Sequence, residues 1–149
     1  GGELVATVAL RGEPQAMRRK PSALEVRLED ACKAVVFKRD GYACVRCGRA
    51  CTETVKRADG TTAYHGLQWA HVHSRNARSL KFTPDNTLAL CAGCHLWFDG
   101  RNPPFTPPRP KAWWAARYPE REARLTLHLQ TTHKVDWQAH LLWLKAGAP

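Results

Sequence analysis

Two C-x-x-C pairs, Cys44/Cys47 and Cys91/Cys94, with 43 residues between them, constrain this chain more than any other feature. Each pair puts two sulfurs on one tight turn. Two such knuckles converge readily on a single tetrahedral ion, and four thiolates at about 2.3 Å are the donor set that zinc favours. In "CVRCG" the glycine at Gly48 lets the first knuckle turn back on itself. A disulfide framework is the alternative for six cysteines, as in small secreted proteins. Cys51 adds a third thiol near the first pair, and Cys32 reads as a small hydrophobe on a helix. His95 directly follows Cys94, so it either replaces a cysteine as a zinc ligand or holds a different metal.

A chain of 149 residues has the length of one domain with one modest core. Hydrophobic residues make up 44%, too many for a disordered composition. No run of about 18 apolar residues and no secretory pattern at the start is present, so neither a membrane span nor a signal peptide is expected. The net charge is +10, spread along the chain, and 15 of the 23 cations are arginine, the better fork for phosphate. Such a field favours polyanions through counterion release, and nucleic acid is the expected partner.

Residues 1–21 read as a flexible basic arm carrying "MRRKP". Ser22 followed by Glu25 is a capping box that opens a helix. Leu24, Leu28, Ala31 and Val35 continue it at helical spacing to an end near Asp40-Gly41. After the first knuckle, "ADGTT" marks a hairpin turn. "AYHGLQWAHVH" reads as one strand and "NTLALC" as the next, with a polar loop bearing Arg75, Arg78 and Lys81 between them. "HLWFDG" reads as one or two helical turns. Residues 101–110 hold five prolines and read as a semi-rigid linker. Residues 111–149 read as a helical extension of two amphipathic helices, with Pro119 suited to a first helical position and Trp113, Trp114, Trp137 and Trp143 as packing and docking residues.

The middle of the chain is therefore strand, loop, strand, helix, braced by cysteines. His71 lies near the end of the first strand, with 14 residues between it and Asn86 and eight between Asn86 and His95. Together with "VVFKRDGYAC", "CVRCG", "WAHVHSR" and "PDNTLALCAGCH", this order resembles the HNH endonuclease family, most of all its small phage-type members, over residues 34 to about 100. The resemblance implies an α+β fold: a zinc-braced ββα-metal core at 22–100 with an N-terminal helix and a C-terminal helical extension. It implies a DNA endonuclease that hydrolyses phosphodiester bonds. His71 would be the general base, Asn86 would orient the loop or the His71 ring, and His95 would ligate a catalytic divalent ion such as Mg²⁺ or Mn²⁺.

On this reading His95 does not share the zinc of Cys44, Cys47, Cys91 and Cys94, because neighbouring helix positions differ by about 100° in direction. The chain departs from many family members at Ala70, where a second metal ligand often precedes the base. Asp99, one helical turn after His95, is the first replacement, and its alternative role is a helix cap beside Gly100. His73 is a further candidate ligand or a surface side chain. Arg75, Arg78 and Lys81 are expected phosphate contacts. The resemblance also implies a monomer or weak dimer, a bacterial host cytoplasm and a link to phage packaging (terminase) proteins. The alternatives are a non-catalytic zinc-containing DNA-binding module, which Ala70 favours, and an accessory subunit of a packaging motor.

Overall fold

The computed structural model describes residues 19–74, 77–101, 107–131 and 133–149. Its architecture is α+β, with five helices and two small antiparallel sheets among the described residues. Helix α1 spans Ala23–Arg39. Ser22 is its N-cap and accepts from the Glu25 N–H at 3.1 Å, while the Glu25 carboxylate receives Arg19 at 2.7 Å. Leu28, Cys32 and Val36, four residues apart, lie with Phe37 on its buried face.

The segment read from the sequence as one strand, "AYHGLQWAHVH", is broken in two. Gly66, at φ +90°, turns the chain between β2 (Thr62–His65) and β3 (Gln68–His71). The two halves then join different sheets: β2 pairs with β1 (Glu53–Lys56), and β3 pairs with β4 (Thr87–Leu90). Periodicity does not reveal that change of partner, because both halves have strand-like composition.

All four residues of β4 are buried, for α1 packs on it and α2 (Ala92–Phe98) folds back beside it. Its outer edge, which would otherwise carry unpaired backbone groups, is satisfied from the end of α1. Arg39 donates to the Pro84 and Thr87 carbonyls at 2.8 Å each, and the Ala89 N–H donates to Asp40 at 2.9 Å. The Val45 N–H donates to the Ala89 carbonyl at 3.1 Å, which sets the first cysteine knuckle beside the end of β4.

Beyond residue 107 the sequence reading of one helix up to Gln130 gives way to two. Tyr118-Pro119 separates α3 (Pro110–Arg117) from α4 (Pro119–Leu129), since proline has no N–H to continue the ladder and is instead the first residue of α4. Pro110, assigned from the sequence to the linker, begins α3. Helix α5 spans Trp137–Lys145, capped by Asp136. Trp114, Leu125, Leu141 and Leu144 enter the same core as Leu28, Trp69 and Leu88, so these helices complete the central core. Most of the basic arm, much of the proline-rich linker and Arg75 lie outside the described residues. Among the described residues no helix is long and apolar enough to cross a membrane.

Candidate metal centre and catalytic cleft

The first knuckle turns at Gly48, φ +80°, whose N–H donates to the Cys44 carbonyl at 2.8 Å. The second starts on Cys91, the N-cap of α2, and ends one turn into the helix at Cys94. The backbone bond from Val45 to β4 brings the two turns together. The sulfurs of Cys44, Cys47, Cys91 and Cys94 all lie within 4.8 Å of one another, with Cys47 and Cys91 3.7 Å apart. Tetrahedral thiolates at about 2.3 Å from a common ion stand about 3.8 Å from each other, so the four residues can hold a metal ion. All six cysteines are free, which sets aside the disulfide framework. Cys51 stays out of the cluster and donates to the Glu53 carbonyl at 3.3 Å.

The electrostatics of the cluster suit a cation. Burial pushes the Cys44 thiol up, but the N–H groups of Cys47, Cys91 and Arg46 outweigh it and hold the thiol at about 7. Burial pushes Cys94 up to about 12, against a hydrogen bond from Arg46 at 3.5 Å. Cys94 therefore keeps its proton until a metal displaces it. The Arg46 guanidinium also stacks over Trp97, 3.7 Å from the ring centre, close to where excess thiolate charge would gather. Cys32 is unrelated to this site: fully buried, its thiol is pushed up to about 12.

His71, His95 and Asp99 line one cleft of about 810 Å³, walled by Trp69, Phe98 and Trp114. His71 sits on the last residue of β3, opposite Thr87 of β4, with its ring edge-on to Trp69 at 4.4 Å. Its Nε2 lies 2.9 Å from the Lys81 carbonyl. A carbonyl can only accept, so Nε2 carries the proton and Nδ1 is the basic nitrogen of the neutral ring. In His95 it is Nδ1 that donates, to the Gln68 side-chain oxygen at 2.7 Å. Its Nε2 faces Asp99 Oδ2 at 3.3 Å, an ion pair when that nitrogen is protonated and a pair of donors for a cation when it is not. Two ligands of one octahedral ion at about 2.1 Å stand about 3 Å apart, so this pair matches a shared cation. Asp99 also caps α2, the alternative role expected of it. Ala70 is fully buried in the core and offers the cleft no ligand.

Asn86 is buried completely, away from the cleft wall. Its Oδ1 accepts the His73 N–H at 2.8 Å, and its Nδ2 donates to the His73 and Leu80 carbonyls at 3.2 Å each. It ties both ends of the loop whose next residue, Lys81, holds the His71 ring. It thus braces that loop from within the core. His73 is paired instead with Glu122 of α4, which also accepts from Trp114 Nε1. Arg78 is exposed on a single 3-10 turn, and the Lys81 ammonium is 3.6 Å from Glu25. Gln68 and Glu122 were not singled out from the sequence. Each meets its histidine only through tertiary contact, Gln68 across 27 positions and Glu122 across 49, with no local pattern to mark it.

Comparison with family models, with curated proteins and with solved structures finds no match to this chain.

Proposed function

We propose that this chain is a metal-dependent DNA endonuclease of the HNH type, with a structural zinc on Cys44, Cys47, Cys91 and Cys94 and a separate catalytic site in the adjoining cleft. The observation that carries the reading is the convergence of His71, His95 and Asp99 on one cleft, where His71 donates through Nε2 and His95 through Nδ1. Opposite ring nitrogens are thus left for opposite tasks. Nδ1 of His71 is poised to take a proton, and Nε2 of His95 is poised to give an electron pair to a metal. The order strand, loop, strand, helix supports the same reading, as does the net charge of +10.

In the hydrolysis a water adds to the phosphorus while its proton passes to His71 Nδ1, and the bond to the 3′-oxygen breaks. The Lys81 carbonyl stabilises the imidazolium that results by accepting from Nε2. His95 and Asp99 would hold a divalent ion, which when bound would neutralise charge on the phosphate and the departing oxygen. Such a sparse protein ligand set would suit Mg²⁺, which keeps much of its water. The test is relaxation of supercoiled plasmid by EDTA-treated protein, with Mg²⁺ or Mn²⁺ restored, beside His71→Ala. Cleavage that needs the ion and falls at least about 100-fold in the variant supports the reading. Cleavage equal in the variant removes His71 as base.

A further inference from the structure

The β1–β2 ribbon has no place in the chemistry above, yet it is held rigidly. Tyr64 packs edge-on against Phe37 with ring centres 4.6 Å apart, and the Thr62 N–H donates to Asp30 of α1 at 2.8 Å. All four residues of β1 nevertheless remain exposed, and its sheet has two strands only. Between the ribbon and α1 runs a second cleft of about 440 Å³, lined by Glu29, Lys33, Arg57 and Tyr64 and closed by Trp69 and His95. Trp69 and His95 also wall the catalytic cleft, so the two clefts meet at the metal-ligating histidine. Cations line both clefts. Arg57 and Lys33, the latter 3.4 Å from Glu29, belong to the ribbon cleft, and the exposed Arg101 and Lys111 belong to the catalytic one.

We propose that duplex DNA lies along both clefts, with Arg57 and Lys33 gripping phosphates on one side of the scissile bond and Arg101 and Lys111 those on the other. This rests on the nuclease reading for where the bond is cut, but its contacts are separately testable. A ribbon pinned to α1 fixes the distance from Arg57 to His95, so the DNA is registered on the site by its backbone and not by its bases. Arg57 is exposed, and its guanidinium donates to the Thr61 hydroxyl at 3.4 Å. Its guanidinium can exchange that contact for a phosphate fork.

The experiment is fluorescence anisotropy of a labelled duplex of about 30 base pairs titrated with full-length, zinc-loaded protein without the catalytic ion, over a range of salt. Arg57→Ala and Arg101→Ala are compared with Arg27→Ala, an exposed arginine of α1 outside both clefts. Each cleft variant is expected to bind about 3- to 10-fold more weakly and to lower the salt slope by about 0.9, the loss of one phosphate contact. The Arg27 variant should keep the wild-type slope, and all three should keep wild-type zinc content. If Arg57→Ala behaves as Arg27→Ala while the wild type cleaves, the track is wrong and the nuclease reading stands. If Arg57→Ala loses affinity and slope but no ion supports cleavage, the groove stands and the nuclease reading falls. No binding by the wild type overturns both.

Discussion

Removal of the Asn86 amide tests whether a buried side chain holds the loop behind the site. Asn86→Ala deletes three hydrogen bonds and leaves the His73 N–H and the His73 and Leu80 carbonyls without the partner that a fully buried side chain supplies. At about 1 kcal/mol net for each bond, the loss is about 3 kcal/mol, a large part of the ~5–15 kcal/mol that holds a domain of this size. With an m-value of about 2 kcal/mol/M in urea, the midpoint should fall by about 1.5 M. Intrinsic fluorescence of the six tryptophans in zinc-loaded protein reads that shift. Asn86→Asp sharpens the test. It keeps an acceptor for the His73 N–H but turns carboxylate oxygens toward two carbonyls. Those carbonyls favour the protonated acid, so its folded-state pKa lies above the unfolded ~3.9. The penalty is therefore absent at low pH and grows as pH rises from the unfolded pKa through the folded one. A midpoint within about 0.25 M of wild type for Asn86→Ala would refute the bracing role.

Gln68→Ala should weaken the catalytic ion about 10- to 100-fold, read as a rightward shift in the Mn²⁺ dependence of cleavage with the plateau rate retained. Gln68→Glu, which keeps the acceptor, should restore most of that affinity. His128, held below its ordinary value by burial and by the stacked His133, contributes stability present above about pH 6.5 and lost as pH falls through its lower folded-state pKa. The decline in Tm between neutral and mildly acidic pH should shrink in His128→Gln. In folded, zinc-loaded protein, iodoacetamide followed by mass spectrometry should mark Cys51, which is partly exposed, and spare Cys32, whose buried thiol is pushed up to about 12.

Much of this site was legible because its residues carry their chemistry in spacing. Two C-x-x-C pairs are a local signal, and they meet as four sulfurs. A helix turn links His95 to Asp99, so their pairing could be anticipated from the sequence alone. Ser22 marked the start of α1 in the same way. What stayed hidden depends on contacts between distant segments. Gly66 turns the chain between two sheets, a change that strand composition does not encode. Gln68 meets His95 only after β3 and α2 pack together. The edge of β4 is closed by Arg39 and Asp40, which in sequence read only as the polar end of a helix. Pro119 reads as a helix start, but the helical spacing on either side of it runs on, so the split into α3 and α4 shows only in the fold.

Metal content and cleavage measured together in one preparation test the central claim most directly. Elemental analysis after EDTA treatment should find one zinc retained per chain while plasmid cleavage is lost and returns with Mg²⁺ or Mn²⁺. His95→Ala should keep that zinc and lose cleavage, because His95 serves the cleft and the four cysteines serve the knuckles. Loss of the zinc in His95→Ala, or cleavage that persists undiminished without the second ion, would contradict two separate metal sites.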